Sequence, residues 1–350
     1  MVTKQITAYL IRIAETGRLN DRFIRFGIRT LLRQRLGEIK KIASPNLTAY
    51  KSEFIDMMSN SSVAIKTDLA NEQHYEVTSE FFKVTLGKHL KYSCCFYDKK
   101  NSELDEAEKR AIEITLERAQ LMDGQDILEL GCGWGSLSLY MAQQYPNSNI
   151  TAISNSSSQK DFIDQEVEKL SLQNLKVITA DMSSFQIDKQ FDRIISVEMF
   201  EHMRNYRVLY ERISRWLKPE GLFFKHIFTH RDTPYQFQVK SDSDWMSRYF
   251  FSGGMMPSAD LPSYFNEHLE LVNQWQWNGW HYARTCDDWL KKTDQHKSKI
   301  ISLFNETYGH DKAHIWFNRW RIFYMSCAEL FAFNNGREWL VSHYLMRRKS

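Results

Sequence analysis

The first part of the chain has apolar positions that recur at helical spacing. Up to about residue 90 there are few glycines or prolines, and the repeat predicts a helix that carries Ile6, Tyr9, Leu10 and Ile13 on one face. A second helix is predicted over residues 20–41. Its apolar positions are Phe23, Phe26, Ile28, Leu31 and Leu32.

Short apolar strands alternate with helical segments from about residue 104 onward. The predicted strands cover residues 126–130, 149–155, 177–180, 191–197 and 221–226. Strands that alternate with helices form a parallel sheet covered on both faces, so the fold class is α/β. Residues 231–290 are expected to be an insertion of loops and helices. The remainder is expected to be helical with a late strand over 339–346.

The composition is that of an ordinary soluble globular protein. The chain has 350 residues, of which 43% are hydrophobic and 25% charged, and its net charge of +3 argues against a nucleic-acid partner. No apolar run reaches membrane-spanning length and the N-terminus has no signal pattern, so a cytoplasmic protein without a membrane is expected. The five cysteines are expected to be reduced thiols without a metal site.

The second predicted helix carries an arginine-rich face. Its members are Arg22, Arg25, Arg29, Arg33 and Arg35. A solvated face is the expected role of such a charge run, and contact with a membrane or an acidic partner is the alternative.

Alternating glycines follow the first predicted strand, in the run ELGCGWG that begins at Glu129 and includes Gly131 and Gly133. Glycine has no Cβ, so such a backbone can approach a ligand closely. The spacing G-x-G-x-G differs from the dinucleotide fingerprint G-x-G-x-x-G. It resembles motif I of class I S-adenosylmethionine (SAM) methyltransferases, in which the acid faces the ammonium side of SAM. For the loop alone, the alternative is a tight turn with no ligand.

The next two strands end in residues that suit the rest of such a cofactor. Asn155 follows the second strand where a nucleotide-binding fold places its ribose contact. Many SAM enzymes carry an acid there, but an amide can also bond a ribose hydroxyl. After the third strand, Asp181 can accept a hydrogen bond from the adenine amino group, and Met182 can lie against the ring.

Acidic and imidazole side chains follow the fourth strand, where a doubly wound sheet binds its ligands. A helical turn would place Glu198, Glu201 and His202 on one face. An alkylamine must lose a proton before it attacks a methyl donor, and a histidine or a buried carboxylate can accept that proton. The alternative is a helix start in which the two acids favour the dipole and the histidine is packed.

Aromatic residues form a second set. Tyr249, Phe250 and Phe251 precede a Ser-Gly-Gly turn, and a C-terminal helix is predicted to carry Trp316, Trp320, Phe323 and Tyr324. Most such rings belong to a core. Ring faces also attract ammonium groups, by about 0.5 to 2 kcal/mol each.

Several stretches in combination resemble the plant alkaloid N-methyltransferases of the coclaurine N-methyltransferase type, which are similar in sequence to cyclopropane-fatty-acid synthases. The resemblance covers most of the chain from about residue 70. The stretches are residues 92–96, 104–108, 131–137, 197–203, 248–254 and 334–339.

The resemblance implies a class I SAM-methyltransferase Rossmann-like sheet with helices on both faces, plus an N-terminal and inserted helical cap. It divides the chain into a helical cap (1–103), a SAM-binding core (104–230) and a cap insertion with C-terminal helices and a closing strand (231–350). The implied function is SAM-dependent N-methylation of a small aromatic alkylamine, with S-adenosylhomocysteine (SAH) as product. The expected partner is that amine, and a homodimer is compatible with the sequence.

The resemblance also implies site residues. Glu201 and His202 are expected to handle the amine proton, with Glu198 as electrostatic anchor. The expected SAM contacts are Tyr92, Ser93, Gly131, Gly133, Asn155, Gln159, Asp181 and Met182. The expected substrate contacts are Tyr75, Glu198, Phe251, Trp320 and Phe323.

Two other functions stay open at this point. In cyclopropane-fatty-acyl-phospholipid synthases a Cys, a Glu, a His and a Tyr hold a bicarbonate that serves as base, and the matching residues here are Cys94, Glu201, His226 and Tyr282. The other alternative is a SAM-binding protein without catalysis. An RNA or protein methyltransferase is disfavoured because the charge is balanced and no nucleic-acid module is visible.

Overall fold

A mixed sheet forms the centre of the fold. The computed structural model describes residues 2–65, 77–241 and 244–349. In this part of the chain the main sheet has seven strands in the order β3-β2-β1-β4-β5-β9-β8. The strands are β1 (Asp126–Leu130), β2 (Asn149–Ser154), β3 (Leu175–Thr179), β4 (Phe191–Val197), β5 (Leu217–His230), β8 (Leu269–Trp277) and β9 (Trp339–Arg348), and a separate two-stranded sheet pairs β6 (Tyr235–Gln236) with β7 (Met255–Met256).

The first five strands are parallel, as the alternation of strands and helices predicts. The late strand is also confirmed, but β9 pairs antiparallel with β5 and carries β8 on its outer edge. The expectation of loops and helices over 231–290 is therefore wrong for β8. This edge strand is largely open to solvent and contains Asn273, Gln274 and Gln276, so it lacks the apolar run that marks a buried strand.

The helices lie on both faces of the sheet and in a cap beside it. They are α1 (Val2–Glu15), α2 (Asp21–Ala43), α3 (Leu47–Ser59), α4 (Ser79–Thr85), α5 (Leu104–Arg118), α6 (Ser136–Gln144), α7 (Ser157–Lys169), α8 (Tyr206–Trp216), α9 (Trp245–Tyr249), α10 (Trp280–Gln295), α11 (Lys297–Tyr308) and α12 (Ala313–Gly336). Short 3-10 turns cover Phe200–His202 and Leu261–Tyr264.

Alternate residues of each central strand point to opposite faces, which builds a core on each side of the sheet. On one side Ile127 and Ile195 pack with residues of α5 and α6. On the other side Leu128 and Ile194 pack with residues of α3 and α8. The predicted covering of both faces is confirmed.

Helix α12 organises the cap, where it contacts α1, α2, α10 and α11. Helix α2 begins at Asp21, one residue after its predicted start. The Asn20 side chain caps it by accepting a hydrogen bond from the Arg22 N–H. Arg25 and Arg29 of α2 both donate to Glu329 of α12, at 3.1 and 3.0 Å.

The expectation of a solvated arginine face on α2 is therefore wrong for the residues that bind other elements. Arg25 also donates to Asp287, and Arg35 donates to Asp244 at 2.6 Å. These acids lie more than 200 positions further along the chain, so their approach is a property of the tertiary fold and has no signal in the local sequence.

The apolar repeats of α1 and α2 are helical as predicted, but they do not face a closed core. Phe23 and Phe26 are 67% and 63% exposed, while Ala14 and Ile24 are buried. The reason is that the two helices cover a large cavity and leave part of their apolar face at its mouth.

Candidate functional site

A cavity of about 1580 Å³ lies where the parallel strands end. Its wall on the sheet side is formed by residues within two positions of a strand end, among them Gly131, Asn155, Asp181 and Glu198. Helices α1, α2, α10 and α12 close the opposite side. A ligand in this position is enclosed between the sheet and the cap.

The glycine loop after β1 adopts the backbone that its sequence predicts. Gly131 and Gly133 both have a positive φ, of 83° and 53°. A Cβ at Gly131 would lie 2.9 Å from the Met199 side chain, whereas a Cβ at Gly133 would meet no atom within 4 Å and would project into open space. Glycine at these positions keeps the backbone close to whatever fills the cavity.

Glu129, at the end of β1, is buried and accepts a hydrogen bond from the Ser138 hydroxyl. Burial raises the pKa of this carboxyl to about 7, and the Ser138 hydrogen bond opposes the rise. Glu129 also lines the cavity. It therefore offers a carboxyl group to a cationic part of a ligand.

The residues expected to contact SAM all line the cavity. They are Tyr92, Ser93, Gly131, Gly133, Asn155, Gln159, Asp181 and Met182. Gln159 is held in place because its side-chain oxygen accepts from the Ser154 hydroxyl at 2.8 Å. The glycine cradle, the polar groups after β2 and β3, and the acid at Glu129 together fit a molecule with an amino-acid end, a ribose and an adenine.

Glu198 occupies the first position after β4, and its backbone lies in the left-handed region with φ of 50°. Its N–H donates to the His226 carbonyl at 2.8 Å. The expected helical turn over Glu198, Glu201 and His202 is wrong, because only Phe200–His202 form a short 3-10 turn. A residue with a left-handed backbone cannot continue a right-handed helix, so Glu198 lies outside the turn that contains Glu201 and His202.

The Glu198 carboxylate is held by three groups from three parts of the chain. The Cys94 N–H donates to Oε1 at 2.9 Å, the Tyr282 hydroxyl donates to Oε2 at 2.6 Å, and His226 Nε2 lies 3.2 Å from Oε1. Burial raises the pKa of this carboxyl, and the Lys91 charge and the hydrogen bonds from Cys94 and Tyr282 oppose the rise. Glu198 and Tyr282 both line the cavity.

The structure changes the residue set that the cyclopropane-synthase resemblance implied. Cys94, His226 and Tyr282 do converge, but on Glu198 instead of Glu201. Glu201 is absent from the cavity wall, is 1% exposed and accepts from the Phe228 N–H at 2.7 Å. Burial, together with the charge of Glu198, holds the pKa of Glu201 well above its usual range.

His202 lines the cavity next to Phe251. The two rings are stacked, with centroids 5.9 Å apart and planes within 11°. Burial lowers the pKa of His202 to about 4, although the Glu198 charge acts in the opposite direction. The imidazole is therefore neutral near pH 7, and its unprotonated ring nitrogen can accept a hydrogen bond.

The predicted aromatic contacts divide between cavity and core. Phe251 and Phe323 line the cavity, and Phe323 stacks on Phe250 at 4.4 Å. Trp320 is fully buried and packs against Phe81 at 4.7 Å, so the structure places it in the core behind the cavity wall. Tyr75 lies outside the described residues.

Other wall residues had no signal in the sequence motifs. They include Ile11 and Ile24 of the N-terminal helices, Trp289 and Phe331 of the C-terminal helices, and Lys91, which lies between α4 and α5. Of these residues, Lys91 lies next to a sequence motif, because it directly precedes the stretch of residues 92–96. The rest reach the cavity through packing of helices that are distant in sequence.

Some kinds of site do not occur in the part of the chain that is described. Within residues 2–65, 77–241 and 244–349, no three His, Cys, Asp or Glu side chains are placed to hold a metal ion. In the same ranges no helix has the length and apolar character needed to cross a bilayer. All five cysteines are buried free thiols.

Comparisons with known proteins agree with this geometry. The family model of mycolic acid cyclopropane synthetase matches residues 64–337. An (S)-coclaurine N-methyltransferase from Thalictrum flavum subsp. glaucum is 37% identical over 99% of this chain and 97% of its own length. A cyclopropane-fatty-acyl-phospholipid synthase of Escherichia coli (strain K12) is more distant, at 28% identity over 78% of this chain and 67% of its own length.

The crystal structure of a coclaurine N-methyltransferase bound to N-methylheliamine and SAH has the same architecture. Its TM-score is 0.94 at 35% sequence identity, and the match covers 98% of this chain and 99% of that one. The resemblance therefore includes the N-terminal helices and the cap as well as the sheet.

Proposed function

The chain belongs to the mycolic acid cyclopropane synthetase family and, within it, to the coclaurine N-methyltransferase group, and from that premise we propose that it methylates the nitrogen of a benzylisoquinoline or a simpler phenylalkylamine. It is a SAM-dependent N-methyltransferase. The observation that carries the proposal is the Glu198 carboxylate, fixed by Cys94, Tyr282 and His226 at the cavity wall.

SAM, when bound, supplies a methyl group on a positively charged sulfur. Gly131 and Gly133 would lie under its amino-acid part, Asn155 and Gln159 at its ribose, and Asp181 and Met182 at its adenine. The remaining work falls to the protein. The site must hold an amine that arrives protonated, remove its proton and exclude water.

We assign the holding of the amine to Glu198. Glu198 lines the cavity, and Cys94, Tyr282 and His226 hold its carboxylate. A carboxylate in this position attracts an ammonium group, and the faces of Phe251 and Phe323 on the same cavity add a favourable contact.

His202 is the proton acceptor that the geometry supports. It lies on the cavity wall one short turn away from Glu198, and the Glu198 charge opposes the lowering of its pKa by burial and so favours its protonated form. A substrate ammonium brought to Glu198 can release its proton to this imidazole, which frees the nitrogen lone pair for attack. That Glu201 shares this task stays a prediction. The bond from the Phe228 N–H to Glu201 favours a supporting role for it.

The same geometry argues against methylenation of acyl chains. The groups that would bind a bicarbonate base in that reaction, namely Cys94 N–H, Tyr282 hydroxyl and His226 Nε2, already hold a carboxylate of the protein itself. A free anion placed there would meet the Glu198 charge at close range, which costs free energy in a buried site.

We also propose that the protein is cytosolic and has no nucleic-acid partner. It binds a small amine, and it acts as a monomer or as a homodimer. The five free and buried cysteines support a reducing compartment. The net charge of +3 gives no concentrated basic surface for a nucleic acid.

The test is an assay with methyl-labelled SAM that offers a panel of aromatic amines and vesicles of unsaturated phospholipid in parallel. Both reactions add a net CH2 to the acceptor, so the position of the label decides between them. The proposal predicts label in the amine fraction. Label in the acyl chains alone, or SAM binding without transfer to either acceptor, would overturn it.

A further inference from the structure

Lys91 is a buried lysine next to the candidate site, and the sequence motifs gave it no role. It is 5% exposed and lies on the cavity wall. Its Nζ donates to the Ser93 hydroxyl and to the Cys94 carbonyl, both at 2.6 Å. Taking an ammonium group out of water is costly, so a buried lysine that serves only the fold is uncommon.

The contacts of Lys91 lead directly to Glu198. Lys91 holds the carbonyl of Cys94, and the N–H of the same residue donates to Glu198 Oε1 at 2.9 Å. Ammonium and carboxylate are thus joined through a single intervening residue. The Lys91 backbone is itself fixed, because its N–H donates to the buried Glu108 carboxyl at 3.2 Å.

Burial opposes the charged form of the other titratable groups that face Glu198. Burial lowers the pKa of His202 to about 4 and that of His226 well below its usual range. Burial also raises the pKa of Glu201, Cys94 and Tyr282 well above their usual ranges. Among the described residues whose charge acts on Glu198, Lys91 lowers the pKa of this carboxyl most.

On the basis of the proposed function, we propose that Lys91 is a positioning residue, a fixed counter-charge that keeps Glu198 ionised and aimed into the cavity before the amine arrives. The bond to the Cys94 carbonyl restrains the backbone of Cys94, and the N–H of that residue holds the carboxylate.

The charge and the hydrogen bonds of Lys91 can be separated by three substitutions. Lys91→Arg keeps both, Lys91→Gln keeps a donor without the charge, and Lys91→Met removes both. The experiment records kcat/KM for the amine against pH at saturating SAM for the wild type and each variant. Folding of each variant is checked by circular dichroism and thermal melting.

Loss of the counter-charge makes the ionised form of Glu198 less favourable. The acid limb of the profile should therefore move to higher pH, by about one unit or more, in Lys91→Gln and Lys91→Met, but not in Lys91→Arg. In a Glu198→Gln background, Lys91→Met should have little further effect, since the two residues act through one interaction. The KM for SAM should stay within about threefold.

Two results would overturn the proposal. One is an equal loss of activity at every pH in Lys91→Met and Lys91→Gln, with the acid limb in place. The other is a rise of more than about tenfold in the KM for SAM with the limb unmoved, which would make Lys91 a contact of the cofactor's carboxylate.

A second measurement does not depend on any amine being a substrate. Infrared difference spectra recorded during a pH titration report protonated carboxyl groups, and the Glu198 band is assigned by its loss in Glu198→Gln. The proposal predicts that this band appears at higher pH in Lys91→Met and Lys91→Gln than in the wild type and Lys91→Arg. An unchanged titration in all four proteins would refute it even if the methylation assay failed.

Discussion

The Tyr282 hydroxyl donates to Glu198 Oε2 at 2.6 Å, which joins helix α10 of the cap to the end of strand β4. The Tyr282 ring stacks on Phe331 of α12 at 4.3 Å, so the hydroxyl cannot turn away without disturbing two helices. The carboxylate that faces the cavity is thereby held from the cap side as well as from the sheet side.

Removing that hydroxyl should lower activity and leave the fold intact. Tyr282→Phe keeps the stacked ring but deprives Glu198 of one donor to a charged group, a change of about 1.5 to 3 kcal/mol. We expect kcat/KM for the amine to fall at least about tenfold, with the KM for SAM little changed. Tyr50→Phe is the control because its hydroxyl bonds the Pro234 carbonyl away from the cavity. Equal losses in both variants would contradict the assignment.

Gly133 should be required for cofactor binding more than for stability. Its φ is positive and an added Cβ would project into the cavity, so Gly133→Ala should weaken SAH binding in calorimetry. Gly124 also has positive φ and open space around it but is not a wall residue. Both substitutions should cost about 1 kcal/mol of stability from the backbone alone, and only Gly133→Ala should affect SAH. Unchanged SAH affinity in Gly133→Ala would place the cofactor elsewhere.

Buried neutral histidines should make the fold sensitive to mild acid. Burial holds the pKa of His343 well below its usual range, and Arg118 donates to its Nδ1 at 2.8 Å. A histidine with a lowered folded-state pKa contributes stability at high pH. That contribution is lost as pH falls below about 6.5, at about 1.4 kcal/mol per pH unit.

His343→Phe removes one such group, so its melting temperature should fall less than that of the wild type between pH 7.5 and pH 5.5, a window chosen to span about pH 6.5. The exposed His310 serves as control, and His310→Gln should follow the wild-type curve. A His343→Phe curve with the same slope as the wild type would show that His343 is not neutral in the folded protein.

Glu329 should hold helix α2 against helix α12. It accepts from both Arg25 and Arg29, and it is more buried than either partner. Glu329→Gln should lower stability by about 1 kcal/mol and raise the KM for the amine more than that for SAM, because α1 and α2 close the side of the cavity opposite the glycine loop and the strand ends. The exposed Glu306→Gln is the control. Equal changes in both KM values would argue against this division of the cavity.

Local sequence patterns predicted the parallel strands and the cavity residues at their ends. The glycine loop, Asn155 and Asp181 each begin within two residues of a strand end, and a parallel sheet brings the ends of its strands together. Their common position on one cavity could therefore be predicted from spacing. The edge strand β8 could not, because its exposed faces remove the apolar repeat.

The positions of Glu198 and of the aromatic side chains depend on tertiary contacts that sequence spacing does not reveal. The direction of Glu198 follows from its left-handed backbone and from Cys94, His226 and Tyr282, which lie up to 104 positions away in the chain. The helical interpretation of residues 198–202 placed Glu201 on the same face as Glu198, whereas the structure buries Glu201 away from the cavity wall. Similarly, only the packing of α12 separates Phe323 on the cavity wall from Trp320 in the core.

The most direct test of the account measures whether Glu198 holds a cation. SAH-saturated wild type and Glu198→Gln would be titrated calorimetrically with a permanently cationic quaternary analogue of the methylated amine and with its neutral tert-butyl isostere. The account predicts that Glu198→Gln weakens binding of the cation at least about tenfold and leaves the isostere unchanged. Equal weakening of both ligands, or no change in either, would contradict it.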